Sequence, residues 1–153
     1  MGMLFYPLLY IMNYDYNNNP DINNYMNDFI FEHKSYDVGY EFILLNFKTY
    51  ISSDFYTYWK FYLSIQIILL AMIYRNSILL FIALLNIVPL ADIFYGTQIR
   101  YSLAALFLVI GLNIGFNIRK RYRLLFLFSA PFIHFGMILP MFLYYGRNVF
   151  LDI

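Results

Sequence analysis

Four long apolar runs fill the last two-thirds of the chain, at residues 58–74 ("YWKFYLSIQIILLAMIY"), 77–94, 101–118 and 124–145. A helix rising about 1.5 Å per residue needs roughly 20 mostly apolar residues to cross a hydrocarbon core about 30 Å thick. The pattern therefore predicts four transmembrane helices. Tyr58 and Trp59 suit one interface of the first span and Tyr74 the other, while Lys60 is near enough to the end to extend its ammonium outward. Only Arg75 and Asn76 separate the first two runs. One unbroken helix over 58–94 would be roughly 55 Å long, too long for one crossing, so the polar pair marks a tight helical hairpin. Pro89 lies late in the second run, and Pro131 and Pro140 lie in the fourth. Such breakers are tolerated in spans where neighbours satisfy the freed carbonyls.

The first third is patterned differently. Met1–Met12 is apolar but too short to span, and it lacks the basic start of a signal peptide and the Arg-rich look of a mitochondrial presequence. Residues 13–39 are Asn-rich and predict irregular chain, with a turn at Asn17–Asp21. Glu41–Tyr58 mixes apolar and polar positions and predicts an interfacial amphipathic helix leading into the first span. The predicted fold is thus all-α and integral to a membrane. Residues 1–57 form an acidic, Asn/Tyr-rich extension and residues 58–153 a domain of about four transmembrane helices.

Composition sharpens this picture. The chain is 62% hydrophobic and 12% charged, whereas an ordinary soluble domain is about 25% charged. A net charge of +1 argues against nucleic acid as a partner. The absence of Cys removes disulfides, thiolate nucleophiles, iron–sulfur ligation and cysteine zinc sites together. Seven acids and two bases fall in residues 1–59, against two acids and eight bases in the remainder. Four of those bases, Arg119, Lys120, Arg121 and Arg123, are clustered between the third and fourth runs. At about 2.5–3.5 kcal/mol each, they cannot stay in hydrocarbon and must lie at a surface, on the side that retains cations during insertion. The cluster suits a topology-setting loop, a seat for an anionic lipid such as cardiolipin, or a dock for a soluble partner.

Polar residues inside the runs are the places to look for chemistry. They are Gln66, Asn86, Asn113, Asn117 and His134, with Asp92 near a run end. No Glu or Lys lies deep in a run, so no proton path is drawn. The other His, His33, lies outside the runs, so His134 has no partner for a bis-His haem or a zinc site. It is expected to hydrogen-bond a neighbouring helix; contact with a quinone is the alternative. Gly111 and Gly115, four apart, predict a helix-packing surface shared with Ala104 and Leu108. No nucleophile pair, phosphate loop or metal set is present. The expectation is a non-catalytic protein without a cofactor.

The residue choice adds one more indication. Phe and Tyr number seventeen each, and Ile and Asn are abundant. Lys occurs only at Lys34, Lys48, Lys60 and Lys120, and the polar tract "NYDYNNNPDINNYMND" has none. This texture resembles the hydrophobic, Cys-poor respiratory-chain proteins encoded in ciliate mitochondrial DNA. The resemblance spans the whole chain in composition, and no motif carries it. It implies an accessory, multi-pass subunit of an inner-membrane respiratory complex, inserted from the matrix without a presequence. Its partners would be other membrane subunits and anionic lipid. The lack of buried acids favours cytochrome c oxidase (complex IV) over NADH:ubiquinone oxidoreductase (complex I). The competing expectations are a small oligomeric transporter or channel, with Gln66, Asn86, Asn113 and Asn117 around a wet pore, and a membrane assembly factor.

Overall fold

The computed structural model of the chain describes residues 17, 19–32, 37–73, 98–112 and 119–151. The expected second span at 77–94, with Asn86, Pro89 and Asp92, lies outside the described residues. So do Arg75, Asn113, Gly115, Asn117, His33 and Met1–Met12.

The regular elements among the described residues are all helices, with no strand among them. Six α-helices follow in order: α1 (Ile22–Phe31), α2 (Val38–Tyr50), α3 (Phe55–Ile73), α4 (Ile99–Gly111), α5 (Lys120–Ile133) and α6 (Ile138–Leu151). A 3-10 turn, Phe135–Met137, joins the last two. α4 occupies the middle, packed against α3 and most extensively against α5, which also meets α2.

α1 corrects the expectation of irregular chain over 13–39. The predicted turn is there: the Asp21 N–H donates to Asn19 Oδ1 at 2.8 Å, and the Ile22 N–H to the Asn19 carbonyl at 3.1 Å. It launches a helix because Ile22, Tyr25, Met26 and Phe29 recur at i, i+3, i+4, i+7 and share one face. Tyr25 and Phe29 are buried, with Ile22 and Met26 packed beside them. The intervening Asn residues occupy the outer face. At the far end, Lys48 of α2 reaches the last turn of α1, donating to the Phe29 carbonyl at 2.8 Å and to Glu32 Oε1 at 2.7 Å. A cation at a helix C-terminus offsets the negative end of the helix dipole.

α3 begins earlier than the predicted span because Asp54 caps it. Asp54 Oδ2 accepts from the Thr57 N–H at 2.7 Å and from Thr57 Oγ1 at 2.6 Å. That satisfies an amide donor that a helix start otherwise leaves unpaired. The expected interfacial helix at 41–58 is accordingly two pieces, α2 and the start of α3, separated at residues 51–54.

The predicted fourth span is also divided. α5 ends at Ile133, and His134 is extended, with φ −151° and ψ 117°. Pro131 has no N–H to donate within α5, and Pro140 falls in the first turn of α6, where an N–H is not needed. The two prolines therefore mark the end of one helix and the start of the next. α4 ends at Gly111, and residues 113–118 of the predicted third span lie outside the described residues. Among the described residues no helix is long and apolar enough to cross a membrane. The longest, α3, has 19 residues and carries Lys60, Ser64 and Gln66.

The core is aromatic around α1, α2 and α3 and aliphatic between α4 and α5. Phe29 lies tilted against Tyr58 with centroids 5.2 Å apart, and Tyr25 meets Trp59 edge-on at 5.7 Å, as Phe29 meets Phe55 at 5.6 Å. Edge-to-face pairs of this kind add about 0.5–1.5 kcal/mol beyond the area they bury. Two glycines set the closeness of the helices. A Cβ on Gly111 would lie 2.5 Å from the Leu127 Cα of α5, and one on Gly39 of α2 would lie 2.8 Å from the Phe132 carbonyl carbon. Both positions require hydrogen instead of a methyl group.

Candidate functional site

The densest polar constellation is built around Asp37. This residue precedes α2, where an Asp side chain usually caps its own helix. Here it makes no such bond, although its carbonyl accepts the Glu41 N–H at 3.1 Å. The carboxylate turns to other elements. Oδ1 accepts the Phe135 N–H at 3.0 Å, supplying the partner that the break after Ile133 would otherwise leave missing. Oδ2 accepts from Arg100 Nη1 at 3.3 Å and lies 3.2 Å from His134 Nδ1. One buried carboxylate thus joins the start of α2, the first turn of α4 and the α5–α6 junction.

Arg100 completes the node on the aromatic side. Its guanidinium lies 5.4 Å from the Tyr25 ring centroid and 5.1 Å from that of Tyr40. Burial disfavours its charge, but Tyr25, Tyr40 and then Asp37 outweigh that cost and raise its pKa. Burial likewise raises the hydroxyl pKa of Tyr25, partly offset by Arg100, and raises that of Tyr40 further. Beneath Arg100 the buried hydroxyls of Tyr40, Tyr58 and Tyr62 have no hydrogen-bond partner of good geometry among the described residues. The Tyr40 ring lies 6.4 Å from Tyr58 and 6.0 Å from Tyr62, edge to face in both pairs.

His134 bonds another element, as the sequence led one to expect. The partner precedes a different helix, and the ring also meets Tyr101 edge-on at 5.3 Å. A carboxylate on Nδ1 fixes the ring orientation. Among the described residues no group of three His, Asp or Glu is arranged to hold a metal. No serine or threonine hydroxyl bonds His134 among them. The arrangement clamps helices together.

The other predicted residues are dispersed. Gln66 is buried in α3, where its Oε1 accepts from the Ser102 hydroxyl of α4 at 2.8 Å. It makes a helix–helix contact. Gly111 sits at the α4–α5 crossing. Arg119, Lys120, Arg121 and Arg123 begin α5, whose first turn has no acid. Arg121 lies over the Tyr122 ring at 4.7 Å and donates to its hydroxyl at 2.9 Å.

The sequence pattern did not reveal Asp37 or Arg100. They are 63 residues apart, and Asp37 is 97 from His134. The one local signal was an acid placed directly before a helix, and that signal suggests a cap. Neither protein-family models, nor characterised proteins, nor solved structures show a match to this chain.

Proposed function

We propose that the protein is a non-catalytic, membrane-embedded scaffold subunit of a larger assembly, in keeping with an accessory subunit of a mitochondrial inner-membrane respiratory complex. The observation that carries this reading is the set of large apolar side chains left exposed around an apolar core that also holds a few bonded polar groups. Asp37, Gln66 and Ser102 are buried and bonded to partners on other helices. Large apolar side chains face outward on α2 (Phe42, Leu45) and along α5 and α6. In water, outward apolar faces of this extent mark surfaces that something else covers. In lipid or against other apolar subunits they cost nothing, and the inward polar contacts fix how the helices pack.

Membrane crossing within this reading rests on the four apolar runs of the sequence. Within the respiratory chain, complex IV remains the favoured parent over complex I because the runs carry no deep acid. The transporter reading is the alternative; of its four polar residues only Gln66 is among the described residues, and its Oε1 accepts from Ser102 of α4.

Native electrophoresis of membranes solubilised in mild detergent tests the proposal. The expected result is co-migration with a respiratory assembly of much higher mass. A discrete homo-oligomer that passes ions in liposomes would sink it.

A further inference from the structure

We propose that α5 and α6 form a seat for anionic phospholipid, with acyl chains along a phenylalanine and leucine stripe and the headgroup phosphate at the arginines that open α5. This deepens the membrane-subunit reading and rests on it.

The stripe has regular spacing. In α5, Leu125, Phe128 and Phe132 recur at i, i+3 and i+7 and therefore share a face. Beyond the extended His134, Phe135 in the 3-10 turn and Leu139 and Phe142 in α6 form a separate group of exposed apolar side chains. Each of the six is more than half exposed, from 58% at Phe128 to 66% at Leu139. The opposite face of α5 is spent on the core, where Leu127, Ala130 and Ile133 are buried. The outward face is therefore not an overflow of core residues. It is a second apolar surface that the described residues leave uncovered.

Charge selects the occupant. The first turn of α5 lies at the positive end of the helix dipole, and acids or anions are favoured there. Instead it begins with Arg119, Lys120, Arg121 and Arg123 and has no acid. Arg119 and Arg121 are exposed. No carboxylate among the described residues pairs with Arg119, Arg121 or Arg123, and the sequence has no Asp or Glu from residue 93 to residue 151. An unneutralised positive end followed directly by an apolar stripe matches a molecule with an anionic head and a hydrocarbon tail. A peptide partner would need acids at one end and apolar residues beyond. A second copy of this helix pair would set arginines against a surface with no acid to receive them.

The lack of native Cys allows a test without background. Single cysteines replace Leu125, Phe128, Phe132 and Leu139, carry a nitroxide, and are reconstituted in phosphatidylcholine vesicles with or without phosphatidylglycerol. Circular dichroism checks that each variant keeps its helical content. The expected result at all four positions is high accessibility to oxygen and low accessibility to a water-soluble nickel chelate, the signature of hydrocarbon. A fluorophore at Y122C should be quenched severalfold more by brominated phosphatidylglycerol than by brominated phosphatidylcholine. That preference should vanish in R119Q/R121Q/R123Q, because each surface cation adds to attraction for anionic lipid. Nitroxides open to the nickel chelate would overturn the seat, as would nitroxides closed to both probes, which marks protein contact. Equal quenching by the two lipids would overturn it as well. None of these results touches co-migration with a large assembly, so failure of the seat stays separable from failure of the subunit reading.

Discussion

Replacing Gly111 by Ala gives the sharpest test of how the helices meet. The added methyl carbon would lie 2.5 Å from the Leu127 Cα, 2.6 Å from its N and 2.7 Å from its Cβ. Carbon atoms attract best at about 3.5–4.0 Å, so α5 must move away by roughly 1 Å. Two of the three clashing atoms are backbone, and no rotamer change relieves them. α5 is not free to move, because Gly39 of α2 contacts the Phe132 carbonyl group and Asp37 holds the Phe135 N–H. Overpacking of this kind costs about 1–3 kcal/mol, and rigid neighbours place it toward the upper end. Ala gains up to about 1 kcal/mol over Gly in a helix. The net expectation is a loss of about 1–2 kcal/mol for G111A. Gly146 in α6 supplies the control, since a Cβ there meets nothing within 4 Å. G146A should therefore gain about 0.5–1 kcal/mol from propensity alone. Urea unfolding of the detergent-solubilised full chain, followed by far-ultraviolet circular dichroism, measures both. If G111A is stabilised to the same degree as G146A, the two backbones do not touch and the packing argument fails.

Three further outcomes follow from the same geometry. D37A should cost about 3 kcal/mol, because it strands Arg100 and the Phe135 N–H in a largely buried place; stability equal to wild type in the same unfolding assay would refute the node. Y40F should be neutral or slightly stabilising, since the buried Tyr40 hydroxyl has no good partner among the described residues. Its raised pKa makes the neutral form a source of stability that is complete below the unfolded value of 10.0 and is lost as pH rises through and beyond it; Y40F should thus unfold less readily than wild type above that pH, and parallel pH profiles would exclude the assignment. The Thr57 hydroxyl and amide hold the Asp54 pKa below its ordinary 3.8. The capping contribution is therefore present above 3.8 and lost as pH falls through the lower folded value, and the protection factor of the Thr57 amide, its exchange rate set against that of unstructured chain at the same pH, should fall in acid and in D54A alike; an unchanged protection factor in D54A would show that Asp54 does not cap α3.

Local periodicity and composition were enough to predict an all-helical chain and the turn at Asn17–Asp21. They also made Gly111 a candidate packing position. These features depend on residues within one or two helical turns, where side-chain spacing and backbone preference act directly. α1 was legible too, in the spacing of Ile22, Tyr25, Met26 and Phe29, but the Asn residues between them suggested irregular chain. Proline positions marked where the last apolar run divides; hydropathy alone extends through such a break. The Asp37 node was not legible. A carboxylate before a helix has the same local sequence whether it caps that helix or turns to Arg100, His134 and the Phe135 amide. Only the packing of α2, α4 and α5 decides between them, because the donors come from segments far away in the chain, and a buried charge takes whatever partners the fold places within hydrogen-bond reach.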